Sequence, residues 1–320
     1  MRIGTRGSRL ALWQARAVAG LLEASGARTE VIVITTAGDR LADARLPEVG
    51  GKGLFVREIE DALIRGDIDL AVHSAKDMPS ELPDGLQIAA TLPREDPRDA
   101  LVLPRGSPAG NIADVLARLG GAPNIGTSSV RRLAQLATLL PRAAFTPIRG
   151  NVDTRLRKLD EGGYDALVLA SAGLRRLGLG SRITSPLSVE HCVPAPGQGI
   201  IAVETRSDDD RTLVAVRSIH DPAAGVSLAA ERALVTALGG GCQLPLGGVA
   251  LHDAQRLEMH AIVAAPDGSR AARRIARGSA SEPEALGRRL AAELARHGAT
   301  EILDAVRLPQ AESRAERRPT

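Results

Sequence analysis

The 320-residue sequence is almost bare of aromatic side chains, with two Phe, one Trp and one Tyr in all. Its cores must therefore be assembled from Leu, Val, Ile and Ala, and each of Trp13, Phe55, Phe145 and Tyr164 calls for a reason. Lysine is nearly absent too: of 41 basic residues only Lys52, Lys76 and Lys158 are not Arg. No apolar run approaches the roughly 20 residues needed to span a bilayer. Met1 is followed by a short apolar stretch and then Gly and Arg, without the h-region of a secretory leader, so a cytoplasmic protein is expected. Cys192 and Cys242 are the only cysteines, and in a reducing compartment both are expected as free thiols. The net charge is only +3 with the two signs interspersed, which argues against a dedicated nucleic-acid surface and leaves small anionic ligands open. The scattered histidines form no metal-ligand set with neighbouring Asp, Glu or Cys.

What is present is a βα rhythm, repeated. Strand patterns at 2–5, 30–35 and 68–72 alternate with helical ones at 10–24 and 54–65. A charged segment between Pro93 and Pro97 marks a junction, after which strands at 100–103, 124–126, 145–148 and 165–170 alternate with helices at 129–140 and 152–161. The Pro- and Gly-rich run VPAPGQG at 193–199 precedes a strand at 200–204 that is expected to return the chain to its first domain. A helix at 228–239, three strands at 247–251, 257–264 and 272–276, and a helix at 283–296 make a smaller α+β unit. The polar tail from residue 308 is expected to be disordered. The predicted fold class is thus α/β, two similar domains forming a ligand cleft plus a smaller α+β C-terminal domain.

Several motifs sit where that fold puts ligands, at the carboxyl ends of strands. In IGTSSVRR (125–132), Thr127 or Ser128 can cap a helix whose first turns carry Arg131 and Arg132. A bound anion would relieve the clash between those cations and the helix dipole; in the blander alternative both Arg point into solvent. Arg6 and Ser8, Arg149 before a helix bearing Arg155, and Arg175 with Arg176 occupy analogous places, which fits a ligand with several carboxylates or phosphates. Lys76 and Asp77 follow a strand containing His73 and Ser74. They read either as a surface ion pair or as a cleft carboxylate able to stabilise a developing cation, while His73 fits a structural role as well as acid–base work. GGGCQ (239–243) presents Cys242 on a glycine loop, as suits a reactive thiol, whereas Cys192 lies among apolar residues and reads as buried. GGKGLF (50–55) lacks the Ser or Thr of a phosphate loop and reads better as a mobile loop carrying Lys52 over the cleft.

In their order and spacing, TRGSRLALWQ (5–14), GGKGLFVREIE (50–60), DLAVHSAKDMP (69–79), REDPRDA (94–100), GTSSVRR (126–132), IRGNVDTRL (148–156), APGQG (195–199) and GGGCQLPLG (239–247) resemble the porphobilinogen deaminase family. The resemblance implies two lobes like those of type II solute-binding proteins, domain 1 at 1–97 and 198–217 and domain 2 at 98–197, with domain 3 at 218–307. It implies a dipyrromethane cofactor joined to Cys242 by a thioether, and a transferase that condenses four porphobilinogen molecules and releases a linear tetrapyrrole. Asp77, Lys76 and Arg6 match catalytic positions. Thr127, Ser128, Ser129, Arg131, Arg132, Arg155, Ser74 and Gln198 match the cofactor site together with Lys76 and Asp77. Arg6, Ser8, Lys52, Phe55, Arg149, Arg155 and Arg176 match the substrate site, although helix spacing suits Phe55 equally well to a core. Glu48 stands where some members carry Lys. The family likeness also implies a monomer whose partner is porphobilinogen rather than nucleic acid or membrane. A solute-binding protein would show a similar Arg distribution but gives no reason for the glycine-presented Cys242; a thiol hydrolase using Cys242 is the enzymatic rival.

Overall fold

The computed structural model describes residues 1–40, 56–240, 244–253 and 255–315. Three sheets organise the chain. In the first, strands β1 (Arg2–Thr5), β2 (Glu30–Val33), β3 (Leu70–Ser74) and β4 (Leu86–Thr91) are joined by β10 (Ile201–Arg206), in the order β2-β1-β3-β10-β4. β1 runs parallel to β2 and β3, whereas β10 is antiparallel to β3 and β4. The chain therefore does return to its first lobe, as the sequence predicts. Helices α1 (Arg9–Ala24), α2 (Ala37–Arg40) and α3 (Arg57–Ile64) complete the first part of this lobe. Val18 and Leu22 of α1 are fully buried against Ile3 and Leu70 of the sheet.

The second sheet repeats the plan. Strands β5 (Asp99–Val102), β6 (Asn124–Gly126), β7 (Ala144–Thr146), β8 (Ala166–Ala170) and β9 (Ser185–Pro186) lie in the order β7-β6-β8-β5-β9, with β6 parallel to β7 and β8 and β5 antiparallel to β8 and β9. Between them run α4 (Ile112–Leu119), α5 (Val130–Leu139), α6 (Val152–Asp160) and α7 (Ser171–Arg176). In each lobe an antiparallel strand beside the parallel set receives the crossing chain.

After β10 come α8 (Asp210–Arg217) and α9 (Pro222–Ala237), then the antiparallel meander β11 (Leu246–Asp253), β12 (Arg256–Ala264) and β13 (Ala271–Ser279), covered by α10 (Pro283–Ala295) and α11 (Ala299–Ala315). Two expectations need correction here. α9 begins six residues before 228, because Asp221 caps it, accepting from the Ala224 amide at 2.7 Å, and Pro222 opens it; Ala and Gly in its first turns carry no periodic signal. Helix also continues to Ala315, past the point where a disordered tail was expected.

One buried carboxylate fastens the third domain to both crossings between the lobes. Glu231 of α9 is fully buried and accepts from Arg94 at 2.6 Å, the Gly197 amide at 2.5 Å and the Ala250 amide at 2.7 Å. The second crossing needs its glycines: Gly199 has φ +88°, and a Cβ there would lie 2.2 Å from the Glu95 carbonyl oxygen.

A second buried acidic group lies under the first lobe. Glu60 of α3 and Glu204 of β10 are buried near His73 of β3, whose Nε2 lies 3.0 Å from Glu204 Oε2, and Glu60 Oε1 has no hydrogen-bond partner among the described residues. Burial, then repulsion from Glu204, pushes the Glu60 carboxyl up to about 7. The folded chain thus binds this proton more tightly than the unfolded one, so stability is lost as pH rises from about 4.5 through about 7. Glu60→Gln, neutral at every pH, is expected to flatten the fall in melting temperature over that interval, measured by thermal unfolding in a pH series. An unchanged slope would assign the pH dependence to other groups.

Candidate active site

Strand β3 delivers Lys76 and Asp77 into a 3-10 turn at its carboxyl end, Ala75–Asp77, closed by the Met78 amide on the Ala75 carbonyl. Asp77 is exposed, and its carboxylate makes no hydrogen bond among the described residues, so neither packing nor capping explains it. Gly197 (φ +74°) packs against this turn so closely that a Cβ would meet the Lys76 amide nitrogen at 2.8 Å. The crossing loop thereby sets Gln198 beside Lys76, whose Nζ lies 3.4 Å from Gln198 Oε1.

Three cations near this turn share an unusual condition. Lys76, Arg155 and Arg176 make no ion pair with a carboxylate among the described residues; their hydrogen bonds go to Gln198 Oε1, Gly150 O at 2.7 Å and Gly199 O at 2.7 Å. Burial pushes Lys76 down to about 8, with Asp77 opposing and Arg132 reinforcing the shift. Burial, then Arg132, lowers Arg155 to about 10 against the pull of Asp77, and burial lowers Arg176 to about 10 against Glu95. Arg176 also lies over the half-exposed Trp13 ring, 5.8 Å from its centroid, which gives that rare aromatic a place at the lobe boundary. Arg149 is exposed.

The structure corrects one of the two readings of Arg131 and Arg132: both are buried rather than turned to solvent, and within the chain the anion they meet is Asp99. Arg131 Nη1 reaches Asp99 Oδ2 at 2.7 Å and Val193 O at 2.7 Å, while Arg132 reaches Asp99 Oδ1 through Nη2 at 2.8 Å and Nε at 3.1 Å. Asp99 is fully buried, and the two guanidiniums outweigh that burial and hold its carboxyl far below the usual range. This carboxylate relieves the conflict between two cations and the helix dipole at the start of α5. The cap of α5 is Ser129, which accepts from the Arg132 amide, rather than Thr127 or Ser128. Ser128 instead bridges to the backbone of Ile148, and Thr127 accepts from the Ser129 amide.

Other expected ligand contacts are committed within the fold. Ser8 caps α1, Ser74 pairs with Gln14, and the Arg6 fork closes on Asp39. Cys192 is buried, its Sγ 3.5 Å from Asp99 Oδ2, and burial followed by Asp99 pushes its thiol up to about 12. A thiol so placed is a poor nucleophile. Lys52, Phe55, Glu48 and Cys242 lie outside the described residues.

Sequence reasoning missed Asp99, Glu231 and Asp39. REDPRDA reads as a charged junction, and only the pairing of β5 with β8 shows that its last Asp enters the sheet beneath Arg131 and Arg132.

A family model described as "Porphobilinogen deaminase, dipyromethane cofactor binding domain" matches residues 1–214. The chain belongs to the porphobilinogen deaminase family. A second model of the family, its C-terminal domain, matches residues 226–296. Proteins named porphobilinogen deaminase from Thiobacillus denitrificans and Syntrophotalea carbinolica are 46% and 48% identical to the chain; each alignment covers 96% of this chain, and 98% and 96% of the relative respectively. Among solved structures, a periplasmic substrate-binding protein of an ABC transporter from Coxiella burnetii superposes with TM-score 0.42 at 15% identity, covering 70% of this chain and 93% of that one. As a member of the family the chain is a transferase of tetrapyrrole biosynthesis with a cysteine-linked dipyrromethane cofactor. It deaminates four porphobilinogen molecules, joins them head to tail and frees hydroxymethylbilane by hydrolysis.

The residues present fit that cofactor. A dipyrromethane built from porphobilinogen carries acetate and propionate side chains, and Lys76, Arg155 and Arg176 are partly buried cations with no carboxylate ion pair among the described residues.

Proposed function

We propose that Lys76, Asp77, Arg155 and Arg176 are the working face of the deaminase, with Arg149, Gln198 and Lys52 at its margins and Cys242 as the anchor. The observation that carries this is the set of three partly buried cations, unpaired with any carboxylate among the described residues, beside one exposed carboxylate. Holding cations out of water without counter-ions is unfavourable, so such a set fits a polyanionic ligand that supplies the charge. When bound, the dipyrromethane would supply the free α-carbon that the first incoming ring joins, each later ring joining the one added before it.

The arginines and Lys76 fix the acetate and propionate of porphobilinogen. Asp77 faces its aminomethyl arm. As the carbon–nitrogen bond breaks and ammonia departs, the pyrrole nitrogen donates electrons and positive charge spreads over the methylene and ring. The fixed Asp77 carboxylate stabilises that charge without reorganising. A carbon–carbon bond then forms and the α-proton is lost, so each round releases one ammonia. Arg131 and Arg132, neutralised in part by Asp99, contribute positive potential and any remaining N–H groups rather than open forks.

The chain leading to Cys242 is held firmly as far as Gly240. α9 ends at Ala237, Arg307 donates at 2.8 Å to both the Leu238 and Gly239 carbonyls, and a Cβ on Gly240 would lie 2.3 Å from Val235 Cγ1 and 2.5 Å from Val235 O. Gly240→Ala is expected to displace this turn and leave most of the protein without the two-pyrrole mass by intact mass spectrometry; full loading would show that the turn does not position the anchor.

The reading includes a cytoplasmic monomer divided at 1–97 with 198–217, 98–197 and 218–307. It is tested by following porphobilinogen and ammonia together across pH: four ammonia per tetrapyrrole are expected. Without a ligand burial pushes Lys76 down to about 8, and ligand carboxylates raise it from there, so activity should fall as pH rises above that value. Lys76→Arg, which stays protonated, should carry the alkaline limb to higher pH. No porphobilinogen consumption overturns the function, and an unmoved limb in Lys76→Arg overturns the role of Lys76.

A further inference from the structure

Asp99 does more than neutralise two arginines. The same Oδ1 that accepts from Arg132 also accepts from Gln198 Nε2 at 3.0 Å, and that nitrogen donates to the Pro97 carbonyl at 2.7 Å as well. With two acceptors on one side, the Gln198 amide has one satisfactory orientation: turned over, its oxygen would face a carboxylate and a carbonyl with no proton between them. The oxygen must therefore point the other way, and there it meets Lys76 Nζ. The relay crosses the molecule's two lobes. Asp99 opens β5 of the second sheet, Gln198 belongs to the crossing loop, and Lys76 follows β3 of the first.

We propose that Asp99 is a positioning residue for the deaminase reaction, holding the Lys76 ammonium beside Asp77 from the opposite lobe through the amide of Gln198. This rests on the assignment of Lys76 to the active site made above. The groups facing Lys76 are Asp77 from its own turn, Arg131 and Arg132 from α5, Asp99 from β5 and Gln198 from the crossing loop. The two arginines disfavour the ammonium, and Asp77 and Asp99 favour it. Asp99 therefore supports the charge as well as the position of Lys76.

The direct readout is the amine itself. The chain has three lysines, so acylation of the holoenzyme by acetic anhydride across pH, followed by peptide mass spectrometry, reports Lys76 separately, with Lys158 as reference. Only the neutral amine reacts. In Asp99→Asn, labelling of Lys76 at neutral pH is expected to rise about threefold relative to Lys158, the change given by half a unit of movement in its profile. Gln198→Met, which leaves the Asp99–Arg131–Arg132 cluster intact, should move the profile in the same direction. The double variant should move it by less than the sum of the two, because both act on one relay. Asp99→Glu should recover part of the native profile.

A folded Asp99→Asn protein with the native Lys76 profile, or additive effects in the double variant, would reduce Asp99 to a counter-ion of the arginine pair. Should Asp99→Asn fail to fold, a native profile in Gln198→Met overturns the relay. Loss of porphobilinogen turnover in the wild-type chain would instead sink the functional reading, and the labelling experiment would still decide the positioning.

Discussion

Asp77→Asn is expected to fold normally, keep the two-pyrrole mass and lose about a hundredfold to a thousandfold in turnover of porphobilinogen. The size follows from what one preorganised charge contributes at a site where positive charge develops. Folding is spared because Asp77 is exposed and caps or braces nothing. Asn keeps the shape and can still hydrogen-bond, so the loss isolates the negative charge. Burial disfavours the charged forms of Lys76 and Arg155, and Asp77 opposes it at both. Its removal should therefore tighten the hold on substrate carboxylates even as turnover collapses, so kcat falls more than kcat/KM. Steady-state kinetics on both variants, Asn and Ala, checks this. Near-native kcat in Asp77→Ala would remove Asp77 from the chemistry.

The second large effect concerns sulfur. Cys242→Ser should yield a protein at its bare sequence mass and without activity, since an oxygen ether does not form by the same capture of a pyrrole cation by a soft thiolate. Cys192→Ser should keep the adduct. Its thiol is buried and pushed up to about 12, against Asp99 and out of reach of a bulky ligand. The pair of variants distinguishes anchor from core thiol by intact mass alone, and an adduct that disappears with Cys192 and persists without Cys242 would reverse the assignment.

The βα rhythm of both lobes and the returning strand after VPAPGQG were legible because they depend on local alternation and on Pro and Gly, which act within a few residues. The limits of α9 were not, since Ala and Gly at its start carry no periodicity and only Asp221 and Pro222 mark it. At the site, the positions of Lys76 and Asp77 at a strand end could be read, as could the accumulation of Arg at strand-to-helix turns. The state of those Arg could not. Arg131 and Arg132 pair with Asp99, more than thirty residues away in sequence, and Arg6 pairs with Asp39, whereas Arg155 and Arg176 have no carboxylate partner among the described residues. Which cations are left over for a ligand depends on long-range pairing, and single-chain spacing carries no record of it.

The most direct test of the central claim, that this cation-lined cleft extends a pyrrole chain held on the protein, is the intact mass of the wild-type chain seconds after mixing with limiting porphobilinogen. The account predicts a base species heavier than the sequence by two pyrrole units and a ladder of single-pyrrole additions above it, ending at four. A single unchanged mass while porphobilinogen is consumed would contradict it.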